Sequence, residues 1–197
     1  MKKVLINCGS QKCNFPDEDF ISRGFEIHCF EPNPIFFECY NTKEAICFHP
    51  EAVWIYDGTV DFIVGRPKAG SIIKDKTSGL NLTEGKFARK VIVVKCVDFS
   101  AFIKKFYDYD YIRIICDIEG AEYKVLQKLY DDGVLQLIHE IRVEWHWYKM
   151  GMTREQQDSF VSKVMEKHKV VEAIQKMGLK WERFRFDFDG AKILVNT

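Results

Sequence analysis

The sequence predicts an α/β protein built on a doubly wound, mostly parallel sheet that closes with a C-terminal antiparallel hairpin. Three observations lead to this prediction. Short apolar runs alternate with amphipathic stretches along most of the chain, which is typical of strands alternating with helices. Several of the apolar runs end in Gly or in acidic residues, as buried strands do on reaching a loop. From residue 180 onward the pattern changes to strict alternation around an Asp-Gly turn, which indicates a hairpin.

Strands are predicted in the first half of the chain where apolar and β-branched residues cluster between Gly, Pro and Asp, namely at 3–8, 25–30, 45–55 and 59–64. Short helices are predicted between them at 17–23 and 35–42. Asp57 and Gly58 are expected to form a two-residue hairpin turn, because Asp-Gly supplies the positive φ that such a turn requires. Residues 65–90 show no hydrophobic period and are predicted to form a long loop.

The second half of the chain shows a clearer alternation of strand and helix patterns. Strands are predicted at 90–97, 111–118 and 134–143, and helices at 98–106, 121–130 and 153–177. The longest helix is expected to begin with a capping box formed by Thr153 and Gln156 and to end at Gly178. Two final strands, at 180–188 and 191–196, are expected to pair through a turn at Asp189 and Gly190.

Length and composition predict one domain spanning residues 1–197. A chain of 197 residues fits a single hydrophobic core, which commonly organises about 100–200 residues. Its 47% hydrophobic and 29% charged residues are typical of a globular protein and not of a disordered chain. We therefore expect a core large enough to support a buried cleft.

Charge and hydropathy argue against two classes of partner. The 29 basic and 29 acidic residues cancel, and the sequence shows no dense basic stripe, so no nucleic-acid partner is expected. No apolar run approaches the roughly 18–20 residues of a membrane span, so no membrane partner is expected either. The apolar run behind the first lysines is too short for a signal peptide. Seven scattered cysteines without a CxxC pair predict reduced thiols and a cytoplasmic location.

The first two candidate sites follow the first two predicted strands. The first strand ends in the turn 7–10, Asn-Cys-Gly-Ser, where Gly9 lets the backbone bend sharply and approach a ligand. The second strand ends in FEPNP at 30–34, where Glu31 can accept hydrogen bonds from both hydroxyls of a ribose. Glu31 lies about 22 residues after Gly9, close to the spacing of roughly 20 that nucleoside-binding α/β folds use. A solvated acid beside a proline turn is the alternative.

The third candidate site is DIEGAE at 117–122. An Ile-rich strand delivers Asp117 to its carboxyl end, and ligands of open α/β sheets bind outside those ends. We therefore expect Gly9, Glu31 and Asp117 to meet in one crevice. Glu119 and Glu122 are expected to act structurally, because acidic residues in a first helical turn favour the positive end of the helix dipole.

The fourth candidate site is HEIRVEWHW at 139–147. With a period of two, its polar residues Glu140, Arg142, Glu144 and His146 share one face of the strand. A buried central strand has no apolar reason to carry such a row. Glu144 and His146 lie nearest the carboxyl end, where a general base or a divalent-ion ligand is useful. A solvent-facing or ion-paired row is the structural alternative.

Together these motifs resemble a known family. The Gly turn, FEPNP, VDFSAF at 97–102 and DIEGAEYKVL at 117–126 are similar in order to those of the FkbM family of S-adenosylmethionine-dependent O-methyltransferases. The resemblance covers about residues 4–145. It implies a Rossmann-like class I methyltransferase fold that ends in a strand hairpin, and it implies methyl transfer to a hydroxyl of a sugar or glycan.

The resemblance also implies roles for individual residues. The first turn would contact the amino-acid part of S-adenosylmethionine, FEPNP would hold the ribose, and the end of the third strand would flank the adenine. The implied cofactor residues are Asn7, Gly9, Ser10, Glu31, Pro32, Asn33, Ala52, Val53 and Asp117. Asp117 would also lie between the cofactor and the carbohydrate acceptor.

Methyl transfer to oxygen requires help with a proton, because a hydroxyl is a weak nucleophile near neutral pH. A base can remove this proton, or a metal ion can loosen it. We expect Asp117, His146 and Glu144 to act in catalysis, either directly or by holding Mg²⁺ or another divalent cation against the acceptor oxygen.

Two other hypotheses stay open. An NAD-dependent oxidoreductase predicts a fuller GxGxxG turn and no terminal hairpin. A non-catalytic or degenerate nucleotide-binding domain is favoured by departures in the first motif, where the family usually has Asp, Ala, Asn and Gly and this chain has Asn7, Ser10, Gln11 and Cys13. Saturable binding of S-adenosylmethionine separates the enzyme from the non-catalytic domain.

Overall fold

The computed structural model describes residues 1–12, 17–64, 70–73, 90–165, 171–177, 180–186 and 192–194. These residues form two sheets with helices packed against them, which confirms the predicted α/β class. The strands are β1 (Lys3–Cys8), β2 (Phe25–Phe30), β3 (Ile46–His49), β4 (Ala52–Trp54), β5 (Gly58–Val64), β6 (Lys90–Asp98), β7 (Tyr111–Cys116), β8 (Glu140–Trp145), β9 (Val171–Met177), β10 (Lys180–Phe186) and β11 (Lys192–Leu194). The α-helices are α1 (Asp17–Ser22), α2 (Phe99–Lys104), α3 (Glu122–Asp131) and α4 (Arg154–Met165).

The larger sheet has the strand order β11-β10-β9-β8-β7-β1-β2-β3. Pairing is parallel from β3 through β1 to β9, and antiparallel between β9, β10 and β11. The central strand β1 is fully buried along Val4, Leu5 and Ile6, because both faces of the sheet are covered. The predicted closing hairpin is confirmed as β10 and β11, although β9 extends it to three antiparallel-linked strands.

The smaller sheet has the order β4-β6-β5. Strand β6 pairs parallel with β4 and antiparallel with β5. Its buried residues, among them Val53 and Phe62, belong to the same hydrophobic core as the inner face of the larger sheet. The apolar face of α3, with Val125, Leu126 and Leu129, packs into this core as its helical period predicts.

Two predictions about residues 45–64 are wrong. The single strand predicted at 45–55 is divided into β3 and β4, which belong to different sheets. Pro50 lies between them, and proline cannot donate a ladder hydrogen bond. The predicted hairpin at Asp57 and Gly58 does not form either, because β5 pairs with β6 and not with β4. The turn preference of Asp57 and Gly58 is a local signal, whereas the strand that pairs with β5 begins 26 residues after β5 ends.

Two helix predictions and one strand prediction also need correction. The segment predicted as helix at 35–42 is a 3₁₀ helix over Pro34–Tyr40. The strand predicted at 134–143 begins only at Glu140, after a 3₁₀ turn over Leu135–Leu137. The long helix predicted at 153–177 ends at Met165, and β9 follows it. Pairing with β8 draws residues 171–177 into the sheet, a tertiary effect that overrides their helical pattern.

The start of the last helix is confirmed. The backbone N–H of Gln156 donates to Thr153 Oγ1 at 3.2 Å, and the backbone N–H of Thr153 donates to Gln156 Oε1 at 2.8 Å, which is the predicted capping box. Most of the loop predicted at 65–90 lies outside the described residues, as does the predicted helix end at Gly178. Among the helices that the structure describes, none is long and apolar enough to cross a membrane.

Gly9 occupies a position that the fold closes to any side chain. Its φ is +79°, and a Cβ built there would lie 1.8 Å from the backbone carbonyl oxygen of Asp117. The turn after β1 therefore packs directly against the end of β7. Gly24 has nearly the same φ, +77°, but its chain neighbours aside, no atom of the described residues lies within 4 Å of the equivalent position.

These two glycines provide a matched pair of substitutions. Gly24→Ala is expected to lower the free energy of unfolding by about 1–2 kcal/mol, the cost of a left-handed conformation with a Cβ. Gly9→Ala adds a steric clash and is expected to cost at least about 3 kcal/mol. Urea unfolding of both variants tests this, and equal losses would contradict the proposed packing of β1 against β7.

Candidate functional site

The candidate site is a cavity at the carboxyl ends of β1, β2 and β7. In the parallel register Cys8 lies opposite both Phe30 and Cys116, so the three strands end at one level. The next residue of each strand is Gly9, Glu31 or Asp117, and all three line the cavity. The cavity encloses about 530 Å³ of empty space, including the part open to solvent. The sequence-based expectation that these residues meet in one crevice agrees with this geometry.

The walls of the cavity come from both sheets. Pro32 and Asn33 line it beside Glu31, and Ala52 and Val53 of β4 line it from the smaller sheet. The remaining wall is largely apolar and includes Phe30, Phe36, Phe62, Ile72, Ile118 and Ala121. Apolar walls with a few converging carboxylates are typical of small-molecule sites.

Glu31 is a buried carboxyl group, with 4% of its surface exposed. Its Oε2 accepts a hydrogen bond from the backbone N–H of Gln11 at 2.8 Å, and its Oε1 accepts one from the backbone N–H of Asn33 at 2.8 Å. Burial raises the pKa of Glu31 to about 7, although these two hydrogen bonds oppose the shift. Each oxygen has a second lone pair, so the group can still accept a hydrogen bond from a ligand hydroxyl.

Asn7 and Ser10 are buried beside the cavity and are not among its lining residues. The Ser10 hydroxyl lies 2.6 Å from the Tyr40 hydroxyl, which donates to the backbone carbonyl of Gln11 at 2.8 Å. These contacts hold the turn that carries Gly9 and Gln11. The contact of Asn7 and Ser10 with a cofactor stays a prediction.

Asp117 and His146 lie within a cluster of carboxylates. His146 Nε2 is 3.8 Å from Asp117 Oδ1, 3.8 Å from Glu119 Oε2 and 3.4 Å from Glu144 Oε1. The imidazole is 1% exposed, and none of the described residues makes a hydrogen bond to its Nε2. The residues predicted to act on the acceptor proton, Asp117, Glu144 and His146, are therefore brought together by the fold.

Glu122 is the residue whose importance the sequence analysis missed. It is fully buried, and it accepts hydrogen bonds from the backbone N–H of His146 at 2.9 Å and from the backbone N–H of Gly120 at 2.8 Å. Its Oε1 also lies 3.1 Å from His146 Nδ1. Glu122 thus fixes the imidazole and directs Nε2 toward Asp117 and Glu144. Its position at the start of α3 suggested that it stabilises the helix dipole. No local sequence signal indicates that it contacts His146, which lies 24 residues further along the chain.

The charge balance of the cluster changes the protonation of two groups. Burial alone would lower the pKa of His146, but Glu122, Glu144 and Glu119 outweigh this effect and raise it to about 10. Burial and the neighbouring Glu144 raise the pKa of Asp117 to about 8, although His146 acts in the opposite direction. At neutral pH the site therefore holds an imidazolium beside an Asp117 carboxyl group that is largely protonated.

Glu119 links this cluster to two other parts of the chain. Its Oε2 pairs with Lys149 Nζ at 2.7 Å, and its backbone carbonyl accepts a hydrogen bond from the Ser71 hydroxyl at 2.8 Å. Ser71 in turn exchanges two backbone hydrogen bonds with Ile63 of β5. The smaller sheet is thereby joined to the rim of the cavity. Glu119 was assigned only a structural role from the sequence, yet it lines the cavity.

Three ligand atoms of the cluster could hold a metal ion. Oxygens of Asp117 and Glu119 and a nitrogen of His146 lie within 4.8 Å of one another. Glu144, which the sequence predicts as a metal ligand, is absent from this set, and Glu119 takes its place. The carboxylate of Glu144 nevertheless lies closer to His146 Nε2 than that of Glu119 does. Glu140 of the predicted polar row serves another purpose, because it pairs with Arg113 at 3.2 Å and accepts a hydrogen bond from Tyr111.

The raised pKa of His146 predicts how stability depends on pH. Its folded-state value, about 10, lies above the ordinary value of 6.5, so the protonated imidazole stabilises the fold. This contribution is complete below about pH 6.5 and is lost as the pH rises through about 10. Asp117 acts in the same direction, because its folded-state pKa also lies above its ordinary value.

Urea unfolding of the wild type between pH 6 and pH 10 is expected to show a falling free energy of unfolding, and His146→Gln is expected to flatten that fall. Parallel profiles for the two proteins would show that His146 is not the titrating group. The resonances of the imidazole, followed by NMR, provide a direct reading of the same pKa.

Neither a search of curated proteins nor a search of solved structures found a match. The family model described as "Methyltransferase FkbM domain" matches residues 7–183, which include Gly9, Glu31, Asp117 and His146. Because that match covers most of the 197 residues, the chain belongs to the FkbM methyltransferase family.

Proposed function

We propose that this protein is an S-adenosylmethionine-dependent O-methyltransferase that acts on a hydroxyl of a sugar or glycan. The observation that carries the proposal is the meeting of Glu31 and Asp117 in one cavity of a methyltransferase-family chain. Glu31 is suited to hold a nucleoside, and Asp117 is suited to receive a proton.

The cavity residues fit the cofactor in their chemistry. Glu31 presents a buried carboxyl group to one end of the cavity, where it can accept hydrogen bonds from ribose hydroxyls. Ala52, Val53 and Phe36 supply apolar walls suited to a flat purine ring. The acceptor would enter beside Asp117 and Glu119, whose oxygens can accept hydrogen bonds from sugar hydroxyls.

In the proposed mechanism, Asp117 and its neighbours take up the proton of the acceptor hydroxyl. S-adenosylmethionine, when bound, supplies a methyl group activated by a sulfonium. Asp117 in its ionised form receives the proton of the acceptor hydroxyl, and because its pKa is raised to about 8, this form gains population as the pH rises toward 8. The imidazolium of His146 stabilises ionised Asp117, and Glu122 fixes its orientation. Alignment of the reactants in the cavity contributes most, since orientation is worth roughly 7–11 kcal/mol.

Two isosteric substitutions separate binding from catalysis. Glu31→Gln replaces an ionisable acceptor with an amide and is expected to weaken S-adenosylmethionine binding at least about tenfold, the effect of losing one or two charged hydrogen bonds. Asp117→Asn removes the proton acceptor and is expected to lower methyl transfer by about 10²–10⁴-fold while binding persists. Calorimetry measures the first effect, and transfer of a labelled methyl group to a panel of glycans measures the second.

NAD serves as the control ligand in the calorimetry. Binding of NAD in place of S-adenosylmethionine would favour the oxidoreductase, and failure to bind either would favour a non-catalytic domain. Full transfer activity in Asp117→Asn would remove that residue from the mechanism.

We also propose that Asp117, Glu119 and His146 can hold Mg²⁺ or another divalent cation beside the acceptor hydroxyl. The support is the Nε2 of buried His146, which makes no hydrogen bond with the described residues and lies within 3.8 Å of oxygens of Asp117, Glu119 and Glu144. Coordination requires loss of the imidazole proton, so the raised pKa of His146 opposes it at neutral pH. Treatment with EDTA is expected to lower methyl transfer, and added Mg²⁺ to restore it. Unchanged activity in EDTA would leave proton transfer by Asp117 as the mechanism.

A further inference from the structure

A second group of metal-ligating side chains lies on β2 and β3, away from the cavity. In the parallel register His28 lies opposite Cys47, and Phe30 lies opposite His49. Because side chains alternate along a strand, Glu26 projects from the same face as these residues. Glu26 and His28 stand five and three residues before Glu31, roughly 16 and 10 Å along an extended chain at 3.3 Å per residue. This group is therefore separate from the proposed cofactor site.

Two of these residues are imidazoles held in aromatic surroundings. His28 is 8% exposed, and its ring lies 5.4 Å from the Phe102 ring and 5.3 Å from the Phe106 ring. His28 Nδ1 is 2.8 Å from His49 Nε2, and His49 stacks on Phe30 with ring centroids 4.3 Å apart. A sheet face that packs on phenylalanines has no apolar reason to carry two imidazoles.

The other ring nitrogen of His28 faces Glu26, two residues earlier on the same strand. There His28 Nε2 lies 2.7 Å from Glu26 Oε1. An oxygen of Glu26, a ring nitrogen of His28 and the sulfur of Cys47 all lie within 4.8 Å of one another. Donor atoms around a tetrahedral zinc ion are roughly 3.3–3.6 Å apart. Glu26 and Cys47 are exposed, so small side-chain rotations suffice to reach that spacing.

We propose that Glu26, His28 and Cys47 form a binding site for Zn²⁺ or a similar borderline-soft divalent cation. One carboxylate, one imidazole and one thiolate are ligands that zinc accepts, and a water completes the tetrahedron. Binding releases the thiol proton of Cys47, and the His28 proton resides on Nδ1, where it is donated to His49. His49 is thus a positioning residue, in the manner of groups that orient metal-bound histidines.

The geometry also indicates what this metal does. Strand β3 is the outermost strand of the larger sheet, and it is held by pairing with β2 alone among the described strands. A metal bound by Glu26 and His28 of β2 and by Cys47 of β3 links the two strands through their side chains. We therefore expect it to stabilise this edge of the sheet and not to take part in methyl transfer.

Cobalt substitution tests the site directly in the full-length chain. Protein freed of metal with a chelator is titrated with Co²⁺, and a thiolate-to-cobalt charge-transfer band with a tetrahedral visible spectrum is expected. Zn²⁺ should displace the cobalt and raise the thermal midpoint of unfolding.

Two variants test the ligands. Cys47→Ser, a change at an exposed position, should abolish the charge-transfer band and weaken Zn²⁺ binding by more than about 100-fold. His49→Gln should weaken Zn²⁺ binding by about 10–100-fold.

Two matched variants serve as controls. Cys39→Ser removes another cysteine near the same edge, and Asp117→Asn removes a ligand of the cavity cluster; both should leave the charge-transfer band unchanged. Absence of the band in the wild type, or its persistence in Cys47→Ser, would overturn the proposal. These spectroscopic outcomes do not depend on methyl-transfer activity, so the proposed function is tested separately.

Discussion

The parallel pairing of β1 with β2 on one side and β7 on the other is the constraint on which the rest of this structure depends. The register ends all three strands at the level of Cys8, so the residues that follow them emerge side by side. Backbone hydrogen bonds continue this order beyond the strands, from Gly9 to Phe30 and from Asp117 to Cys8. The turn after β1 then lies so close to Asp117 that only glycine fits there. The site is thus a direct product of strand registration.

Within that frame, the acidic residues divide into two environments. Glu31 is held by hydrogen bonds from two backbone N–H groups. Asp117 shares its surroundings with Glu119, Glu122 and Glu144, which His146 and Lys149 partly neutralise. Burial raises the pKa of both Glu31 and Asp117, and among the described residues a titratable cation, His146, lies 3.8 Å from Asp117. This difference is the physical basis for assigning one acid to binding and the other to proton transfer.

The features that could be predicted from the sequence are those with local signals. Strands β1, β2, β6 and β7 have continuous apolar runs bounded by polar or turn residues, and their predicted bounds agree with the structure to within two residues. Gly9, Glu31 and Asp117 follow such strands directly, so their meeting could be predicted from topology. The separation of β3 from β4, the pairing of β5 with β6 and the entry of β9 into the sheet depend on distant partners. The role of Glu122 was missed for the same reason, because His146 approaches it only in the folded chain.

The contact between Ser71 and Glu119 has a mechanical consequence. Ser71 is held to the smaller sheet by two backbone hydrogen bonds with Ile63 and to the cavity rim by one hydrogen bond to the Glu119 carbonyl. A shift of that sheet is therefore passed to the cavity rim at Glu119 without involving β1 or β2. Because β4 of the same sheet carries Ala52 and Val53 into the cavity wall, the shape of the whole cavity follows the position of the smaller sheet.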